Sequence, residues 1–408
     1  MMEKTVNLLS TTWSNLDSFE LRLLLNERVG GPGQYTGLGK YPNTLHLPRA
    51  GTSCRISLTF SDKSDKEIVR IERGPAFDAT EWKLISEEIG KSILTGPVKV
   101  GREYSFSSFR VLGSWRGIRS GVQILPPPDD APRADIEMAE HPFIFEFPLK
   151  ACEIWRITNH RRLRDHRNLT LLLNILLAGR TSLQPQRPEH FGAVVAPHNT
   201  INWVQQFFFA QPGEVVVDEL SPPAAAQLEL VDPDEYYTTV GHDGKGLRVP
   251  ADLDESICCY TVLSPENRAK FDRATYWMDM ASRQWNISVS VSFAALVSAV
   301  ESLTKRGKTH RFNCPTCLLP TQHEVPGATQ RFKDFIETYA PGAGLAKQRN
   351  DMYDLRSGIL HGSELMQIDR GLTFGWDPPG WNERELHSEL WSLTRACLRN
   401  WLKSPPAD

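Results

Sequence analysis

The 408-residue sequence lacks a long hydrophobic run, a disulfide-type cysteine framework and a marked excess of either charge. Its longest apolar segment, 169–178, is interrupted by Asn174 and is far shorter than the roughly 20 residues of a membrane-spanning helix. The N-terminus has no basic start followed by an apolar core, so we expect no secretory signal. These absences predict a cytoplasmic protein without a membrane partner.

Cysteine content, net charge and glycine patterning narrow the functional classes further. Seven cysteines, an odd number with one close pair, fit a reducing compartment better than a disulfide framework. A net charge of −3 gives no overall attraction for polyanions, so any nucleic-acid surface has to be local. The glycine-rich stretch 30–43 lacks the Gly-Lys-Ser/Thr ending of a phosphate loop and predicts a surface loop.

The first 260 residues show the mixed patterns of an α+β region, and no motif in them identifies a role. The proline-rich acidic stretch 125–142 predicts a linker or a long exposed loop. The arginine-rich start of the helix 161–180 could meet phosphates, although a solvated helix start is the favoured interpretation. The other predicted elements are a helix at 80–94 and strands within 55–60, 98–111, 143–147, 152–157, 202–210 and 214–217.

From Ser264 onward the apolar residues recur at helical intervals. Tryptophans 381, 391 and 401 recur every ten residues, a spacing that favours core or interface anchors over a binding site. The sequence therefore predicts an α+β fold, in which region 1–260 precedes an all-α bundle at 264–404. The expected bundle helices cover 265–284, 289–304, 328–339, 344–360 and 382–402.

A short Cys/His insertion separates the second and third bundle helices. Cys314 and Cys317 have the two-residue spacing at which a tight turn lets two thiolates share one zinc ion. His310 and His323 flank the pair and complete a candidate Cys2His2 set for structural zinc. The alternative is two reduced cysteines on a loop with incidental histidines. A site with four protein ligands leaves no open position, so we expect no catalytic cofactor.

The stretch 349–365, RNDMYDLRSGILHGSEL, is the most informative part of the chain. Arg356 and His361 suit phosphodiester chemistry, because a guanidinium stabilises phosphate charge and an imidazole transfers protons near neutral pH. The spacing is weak by itself, since Arg161 and His166 repeat it. Five helical positions turn the two side chains about 140° apart. Either glycines bend the helix, or two copies of the chain contribute residues to one site.

The segment YDLRSGILHG, with the upstream helix SFAALVSAVESL, resembles the HEPN domains of prokaryotes. It is most similar to the Apea-like branch, in which an R-S-x-x-x-H-G string closes a helical bundle. The resemblance covers roughly the last 140 residues. It implies a small dimeric bundle, metal-independent endoribonuclease activity, and Arg356 with His361 as the active-site pair. Active members often carry Asn, Asp or His directly after the arginine, where this chain has Ser357.

The first functional hypothesis is an endoribonuclease in which the 2′-hydroxyl of the RNA attacks the adjacent phosphate. His361 would be the general base or acid, and Arg356 would bind the transition-state phosphate. Ser357 or Asp354 would orient the imidazole. Glu301, the only charge in an otherwise apolar helix, is expected to pair with Arg356. Tyr353 would stack on a base or pack in the core, and the RNA backbone would follow Lys305, Arg306, Lys308 and Arg311, unless these are a solvated helix end.

The second hypothesis is a non-catalytic HEPN module for dimerisation or for binding nucleic acid or nucleotides. Arg356 and His361 would then be structural, and Ser357 and the overall negative charge favour this alternative. For the enzyme, the resemblance implies a toxin or anti-phage defence effector with a homodimeric bundle. The N-terminal region would sense a trigger or restrain the bundle, with a regulatory partner or antitoxin as a further expectation.

Overall fold

The structure is a computed structural model. No helix in the ranges it describes is both long and apolar enough to cross a membrane. The described residues are 17–29, 34–36, 43–48, 55–61, 64–73, 78, 80–85, 87, 96–128, 141–183, 190–195, 200–205, 214–238, 246–285, 287–305, 307–313, 320–342, 346–370 and 378–406.

The fold is α+β, as the sequence predicts, with a strand-rich N-terminal region and a helical C-terminal region. The helices are α1 Ser18–Val29, α2 Trp155–Leu176, α3 Pro233–Thr238, α4 Leu253–Thr261, α5 Pro265–Gln284, α6 Val289–Glu301, α7 Ala328–Tyr339, α8 Ala346–Leu360, α9 Gln367–Arg370 and α10 Pro378–Lys403. The strands are β1 Gln34–Thr36, β2 Thr44–Pro48, β3 Arg55–Ser61, β4 Ser64–Arg73, β5 Val98–Ser107, β6 Trp115–Arg116, β7 Gln123–Leu125, β8 His141–Lys150, β9 Thr181–Ser182, β10 His190–Val195, β11 Thr200–Gln205, β12 Val216–Val217, β13 Leu230–Val231, β14 Val249–Pro250, β15 Lys308–Asn313 and β16 Pro320–Val325.

The chain forms two compact units, and the division passes through β5, β8 and α2. The first unit contains 1–101, 148–165 and 216–219, and the second contains 102–147, 166–215 and 220–408. The units therefore do not follow the predicted regions 1–260 and 264–404. Residues of the N-terminal region supply part of the core that the C-terminal helices bury.

The first unit is built on an antiparallel sheet in the order β1-β2-β3-β4. Buried residues alternate along β2, where Leu45 and Leu47 face the core, as a sheet with one covered face requires. α1 buries Leu21, Leu24 and Leu25 in the same core, at the three- and four-residue spacing of a helix face. The buried side chains of the sheet and of α1 thus form one hydrophobic core.

The second unit contains β6, β7, β9 and most of β5 and β8, and buried residues of β6, β7 and β8 form one core with the helical bundle. Phe143, Phe145 and Phe147 alternate along β8 and are fully buried. On β8 the carboxylate of Glu146 is also fully buried, and it accepts hydrogen bonds from Arg102 and from Ser221, among others. Because its charge is compensated by several donors, Glu146 stabilises the sheet rather than forming a reactive site.

α6 is the central helix of the bundle and packs against α5, α7, α8 and α10. Ten of its thirteen residues are buried, so it is apolar on nearly every side. Ser288 caps its N-terminus, and the Asp369 carboxylate accepts hydrogen bonds from the backbone N–H groups of Val289 and Ser290. Burial alone would raise the pKa of Asp369, but hydrogen bonds from the hydroxyl groups of Ser290 and Ser288, together with these two N–H groups, lower it. A fixed carboxylate thus determines where α6 begins.

The helix boundaries predicted for the C-terminal region agree closely with the structure. The ranges predicted at 265–284 and 328–339 match α5 and α7, and the other three differ by a few residues at their ends. Trp401 is fully buried and its ring stacks on Phe271 at 5.7 Å, which confirms its role as a core anchor. Trp391 is half-buried, and the side chain of Trp381 lies outside the described residues.

Two predictions in the N-terminal region were wrong. The predicted strand 152–157 includes the start of α2, because Ile154 and Ile157 are buried at helical spacing and Thr158 exchanges hydrogen bonds with the Cys152 backbone before the helix. Of the arginines that follow, Arg161 and Arg162 are buried rather than solvated, whereas Arg167 is exposed. Arg161 is buried and pairs with Glu20 through two hydrogen bonds of 3.0 and 2.7 Å.

Other parts of the sequence prediction are confirmed in part. The predicted strands at 55–60 and 143–147 lie within β3 and β8, and residues 80–85 are helical. The two runs expected within 98–111 form one strand, β5, which ends at Ser107. Of the predicted linker 125–142, Leu125 belongs to β7 and residues 141–142 to β8, while 129–140 lie outside the described residues.

A buried histidine gives the bundle a testable pH dependence. His387 is 2% exposed, its Nε2 lies 2.9 Å from Ser292 Oγ, and its ring is 4.4 Å from that of Trp285. Burial lowers the pKa of His387 from 6.5 to about 4. Between these values the unfolded chain binds a proton that the folded chain excludes. The stability that the neutral imidazole provides is therefore complete above pH 6.5 and is lost as pH falls towards 4.

We expect His387→Gln to remove this pH dependence, because glutamine can replace the hydrogen bond and does not titrate. Between pH 7.5 and 5.0 the wild type should lose about 2 kcal/mol more unfolding free energy than the variant. Urea denaturation followed by tryptophan fluorescence at both pH values measures the difference. Parallel losses in the two proteins would show that His387 is not the group responsible.

Candidate functional site

The candidate site lies where the C-terminal end of α6 meets the second half of α8. Arg356 Nη2 lies 2.6 Å from Glu301 Oε2, so the expected ion pair is present. The Tyr353 hydroxyl donates to Glu301 Oε1 at 3.1 Å, and the Arg356 guanidinium lies 5.5 Å from the centre of the Tyr353 ring. Burial and the Glu301 carboxylate raise the pKa of Tyr353, which keeps its hydroxyl protonated as a donor.

Helix spacing accounts for this arrangement. Tyr353 and Arg356 are three positions apart on α8 and therefore share one face, which packs against α6. Tyr353 is 7% exposed and lies 5.5 Å from the Phe332 ring, so it packs in the core as one of its two predicted roles requires. Glu301 is the last residue of α6, so its charged side chain lies at the edge of the apolar core and is partly exposed.

The ion pair leaves much of the Arg356 guanidinium unused. Only Nη2 contacts Glu301, and the buried Nε has no hydrogen-bond partner in the described part of the chain. Arg161, of the second Arg-x4-His sequence, instead uses Nε and Nη2 on Glu20 and Nη1 on the Lys150 carbonyl. An arginine has five N–H donors, and the two on Arg356 Nη1 bind none of the described residues, so they can donate to the oxygens of a phosphate.

His361 is exposed and immediately follows α8. Its backbone N–H donates to the Ser357 carbonyl at 3.0 Å. Gly362 then adopts φ +72°, and the next N–H returns to the Gly358 carbonyl. This closure is a glycine C-cap of the Schellman type, which only glycine adopts without strain. The same glycine thus ends the helix and fixes the backbone that carries the imidazole.

The structure does not support the orienting roles predicted for Ser357 and Asp354. Among the described residues, neither side chain forms a hydrogen bond with the His361 imidazole. α8 is also continuous through Gly358, so this glycine does not interrupt the helix between Arg356 and its end at Leu360. Helical geometry then keeps the two side chains about 140° apart within one chain.

The residues proposed to follow RNA are only partly described. Lys305 is exposed just beyond α6, and Lys308 and Arg311 are exposed on β15. Arg306 lies outside the described residues. RNA binding by these cations stays a prediction, and a solvated helix end is its alternative.

The predicted Cys/His loop forms an antiparallel hairpin, β15–β16, on either side of the cysteines. A loop was therefore the wrong prediction for its flanks. His310 and His323 are direct partners across the ladder, which places them at one register position. Cys314, Cys317 and the side chain of His323 lie outside the described residues.

A cleft of about 730 Å³ opens beside Glu301. It lies between the first half of α5, the end of α6 and the start of α7. Sequence analysis missed three of its cations, because Lys270, Arg273 and Arg331 belong to helices away from the motif. The available signal was the three-residue spacing of Lys270 and Arg273 on α5. The lining residues are Glu266, Asn267, Lys270, Arg273, Glu301, Ser302, Thr304, Lys305, Ala328 and Arg331.

The first unit contains another cluster of polar side chains, formed by Asp17, Glu20 and His160, with ligand atoms close enough for a metal ion. Arg161 and Arg164 already donate to its two carboxylates. The positive charge that a metal would supply is therefore provided by two guanidinium groups, and the cluster is best explained as an ion-pair network.

No protein-family model, curated protein or solved structure matches the chain. The HEPN resemblance therefore remains a prediction that rests on the motif and on the order of the helices.

The Glu301–Arg356 pair makes a prediction about stability. Glu301→Gln leaves the half-buried guanidinium without its counter-charge and should lower the unfolding free energy by about 1 kcal/mol. Tyr353→Phe, the matched control, removes one hydrogen bond from the same carboxylate and keeps the ring, so its effect should be smaller. Thermal unfolding followed by circular dichroism compares them. A larger loss for Tyr353→Phe would contradict the importance assigned to the ion pair.

Proposed function

We propose that this protein is a metal-independent endoribonuclease of HEPN type. The observation that carries the proposal is the incompletely used guanidinium of Arg356, which binds Glu301 through Nη2 while its Nη1 forms no hydrogen bond with the described residues. His361 comes directly after the last residue of the same helix, and its side chain is exposed. RNA supplies its own nucleophile, so a group that transfers protons and a group that stabilises charge suffice.

In the proposed reaction the 2′-hydroxyl attacks the adjacent phosphorus, and the bond to the 5′-oxygen breaks. His361 transfers a proton as general base or acid, and Arg356 stabilises the charge on the phosphorane. The products are a 2′,3′-cyclic phosphate and a 5′-hydroxyl. An effector that degrades RNA in this way would suit a toxin or an anti-phage defence system.

The proposed active form is a homodimer. Within one chain, about 140° of helical rotation separates Arg356 from His361, and α8 is continuous from Arg356 to its end at Leu360. A symmetric dimer resolves this separation if the arginine of one copy works with the histidine of the other. Apolar side chains that such a dimer could cover are exposed from the end of α5 to the start of α6, namely Tyr276, Trp277, Trp285, Ile287 and Val291.

Cleavage of a labelled RNA by purified protein tests the proposal. We expect the wild type to release cyclic-phosphate ends, and His361→Ala and Arg356→Ala to cleave about 10²- to 10⁴-fold more slowly. Arg384→Ala, which removes an exposed cation from α10, should retain full activity. Wild-type rates in His361→Ala would refute the mechanism. A folded, dimeric wild type that leaves RNA intact would favour the non-catalytic binding module.

Mixing the two inactive variants tests the dimeric site. A heterodimer of Arg356→Ala and His361→Ala chains contains one site with both residues intact if the site combines two copies. The mixture should then regain activity, up to about a quarter of the wild-type rate from random pairing with one of two sites restored. If each chain holds its own complete site, the mixture remains inactive.

We also propose that the hairpin insertion binds structural zinc through His310, Cys314, Cys317 and His323. The x2 spacing of the cysteines and the pairing of His310 with His323 across the ladder support this proposal.

Metal analysis of the purified protein should find one zinc per chain. Cys314→Ser/Cys317→Ser should lose the metal and lower the melting temperature, because structural zinc stabilises the fold around it. Cys258→Ser/Cys259→Ser, which alters a pair of free cysteines on α4, should retain both. Equal zinc contents in the two double variants would contradict the proposed ligands.

A further inference from the structure

The cleft beside Glu301 is a local concentration of positive charge in a protein with a net charge of −3. Four cations and two carboxylates line it. Glu266 pairs with Lys270 at 2.6 Å, and Glu301 pairs with Arg356. The two acidic groups are therefore already compensated. Four cations against two carboxylates leave the lining with two more positive than negative charges, and Arg331 is paired in addition with Glu324 next to the cleft.

Arg273 is the cation most available to a ligand. It is exposed and forms no hydrogen bond or ion pair with the described part of the chain. Arg331 contacts Glu324 and the Pro326 carbonyl through Nη1, while its buried Nε has no partner among the described residues. A surface arginine with no counter-charge among the described residues, in the same lining as a second arginine, is an arrangement that suits phosphate oxygens.

The size and lining of the cleft define the class of ligand. Its volume of about 730 Å³ lies within the range of clefts that hold small ligands, so it fits a few nucleotides of a single strand. Recognition of double-stranded RNA uses a much longer surface. The described lining contains no aromatic side chain on which a base could stack. Binding would therefore be to the sugar-phosphate backbone, with little sequence preference and strong salt dependence.

We propose that this cleft binds the backbone of single-stranded RNA and is the subsite next to the scissile phosphate. This inference rests on the proposed ribonuclease function. Glu301 connects the two sites, because it lines the cleft and also holds Arg356. A strand whose phosphates contact Lys270 and Arg273 continues past Glu301 towards the free donors of Arg356. The cleft thus adds three cations on α5 and α7 to the residues that determine RNA affinity.

Binding is measured in the His361→Ala background, so that the RNA stays intact, by fluorescence anisotropy of a labelled single-stranded RNA. We expect Lys270→Gln/Arg273→Gln to weaken binding about tenfold. The slope of log K against log salt should become less steep by about 1.4, since each contact to a single-strand phosphate contributes about 0.7. The matched control is Arg370→Gln/Arg384→Gln, which removes two exposed charges outside the cleft. It should change neither quantity by more than about twofold.

Equal binding by the cleft variant and the control would overturn the inference, and so would the absence of RNA binding in the His361→Ala protein. Displacement of the RNA by AMP or inorganic phosphate at micromolar concentration would also overturn it, because the cleft would then be a mononucleotide or phosphate site. Failure of the two proposals can be told apart. Cleavage by the wild type with an unchanged KM in Lys270→Gln/Arg273→Gln refutes the subsite alone. Cleft-dependent binding without any cleavage refutes the enzyme alone.

Discussion

The carboxylate of Glu301 is the interaction on which the candidate site depends. α6 is apolar on nearly every side and is enclosed by other helices. A charged side chain is therefore tolerated only at the end of α6 that reaches the edge of the core. At that end Glu301 accepts from Arg356 on one oxygen and from Tyr353 on the other. The two donors compensate the charge of this half-buried carboxylate, and the carboxylate holds the Arg356 guanidinium at the edge of the bundle.

The position of Glu301 is in turn determined at the opposite end of α6. Ser288 and the Asp369 carboxylate bind the first N–H groups of the helix, which fixes its start. Thirteen residues later the helix ends at Glu301. Asp369 follows the candidate motif in the chain, so the residues after α8 help to place the partner of a residue within α8. The site is therefore a property of the whole bundle, although its motif is short.

The sequence predicted the helices of the bundle well because their burial pattern is periodic and their ends carry local signals. Ser264 followed by Pro265 marks the start of α5. In the structure Ser264 is the N-cap residue and Pro265 is the first residue of the helix. The ion pair of Glu301 followed from the same logic, since one charge in an apolar helix needs a partner. The start of α2 was missed because Ile154 and Ile157 fit a short strand as well as a helix when no partner sheet is known. Lys270, Arg273 and Arg331 could not be assigned to the cleft from the sequence, because residues on separate helices meet only after packing.

Arg356 and Arg161 show why the spacing of a motif does not by itself determine its function. Both are followed by histidine after four residues, and both pair with a glutamate. Arg161 is 4% exposed and each of its three nitrogens donates to the protein, so burial and pairing together keep it from a ligand. Arg356 gives one nitrogen to Glu301 and lies beside an open cleft with excess positive charge. The two arginines therefore differ in the number of donors that folding leaves unused, and that number depends on tertiary packing.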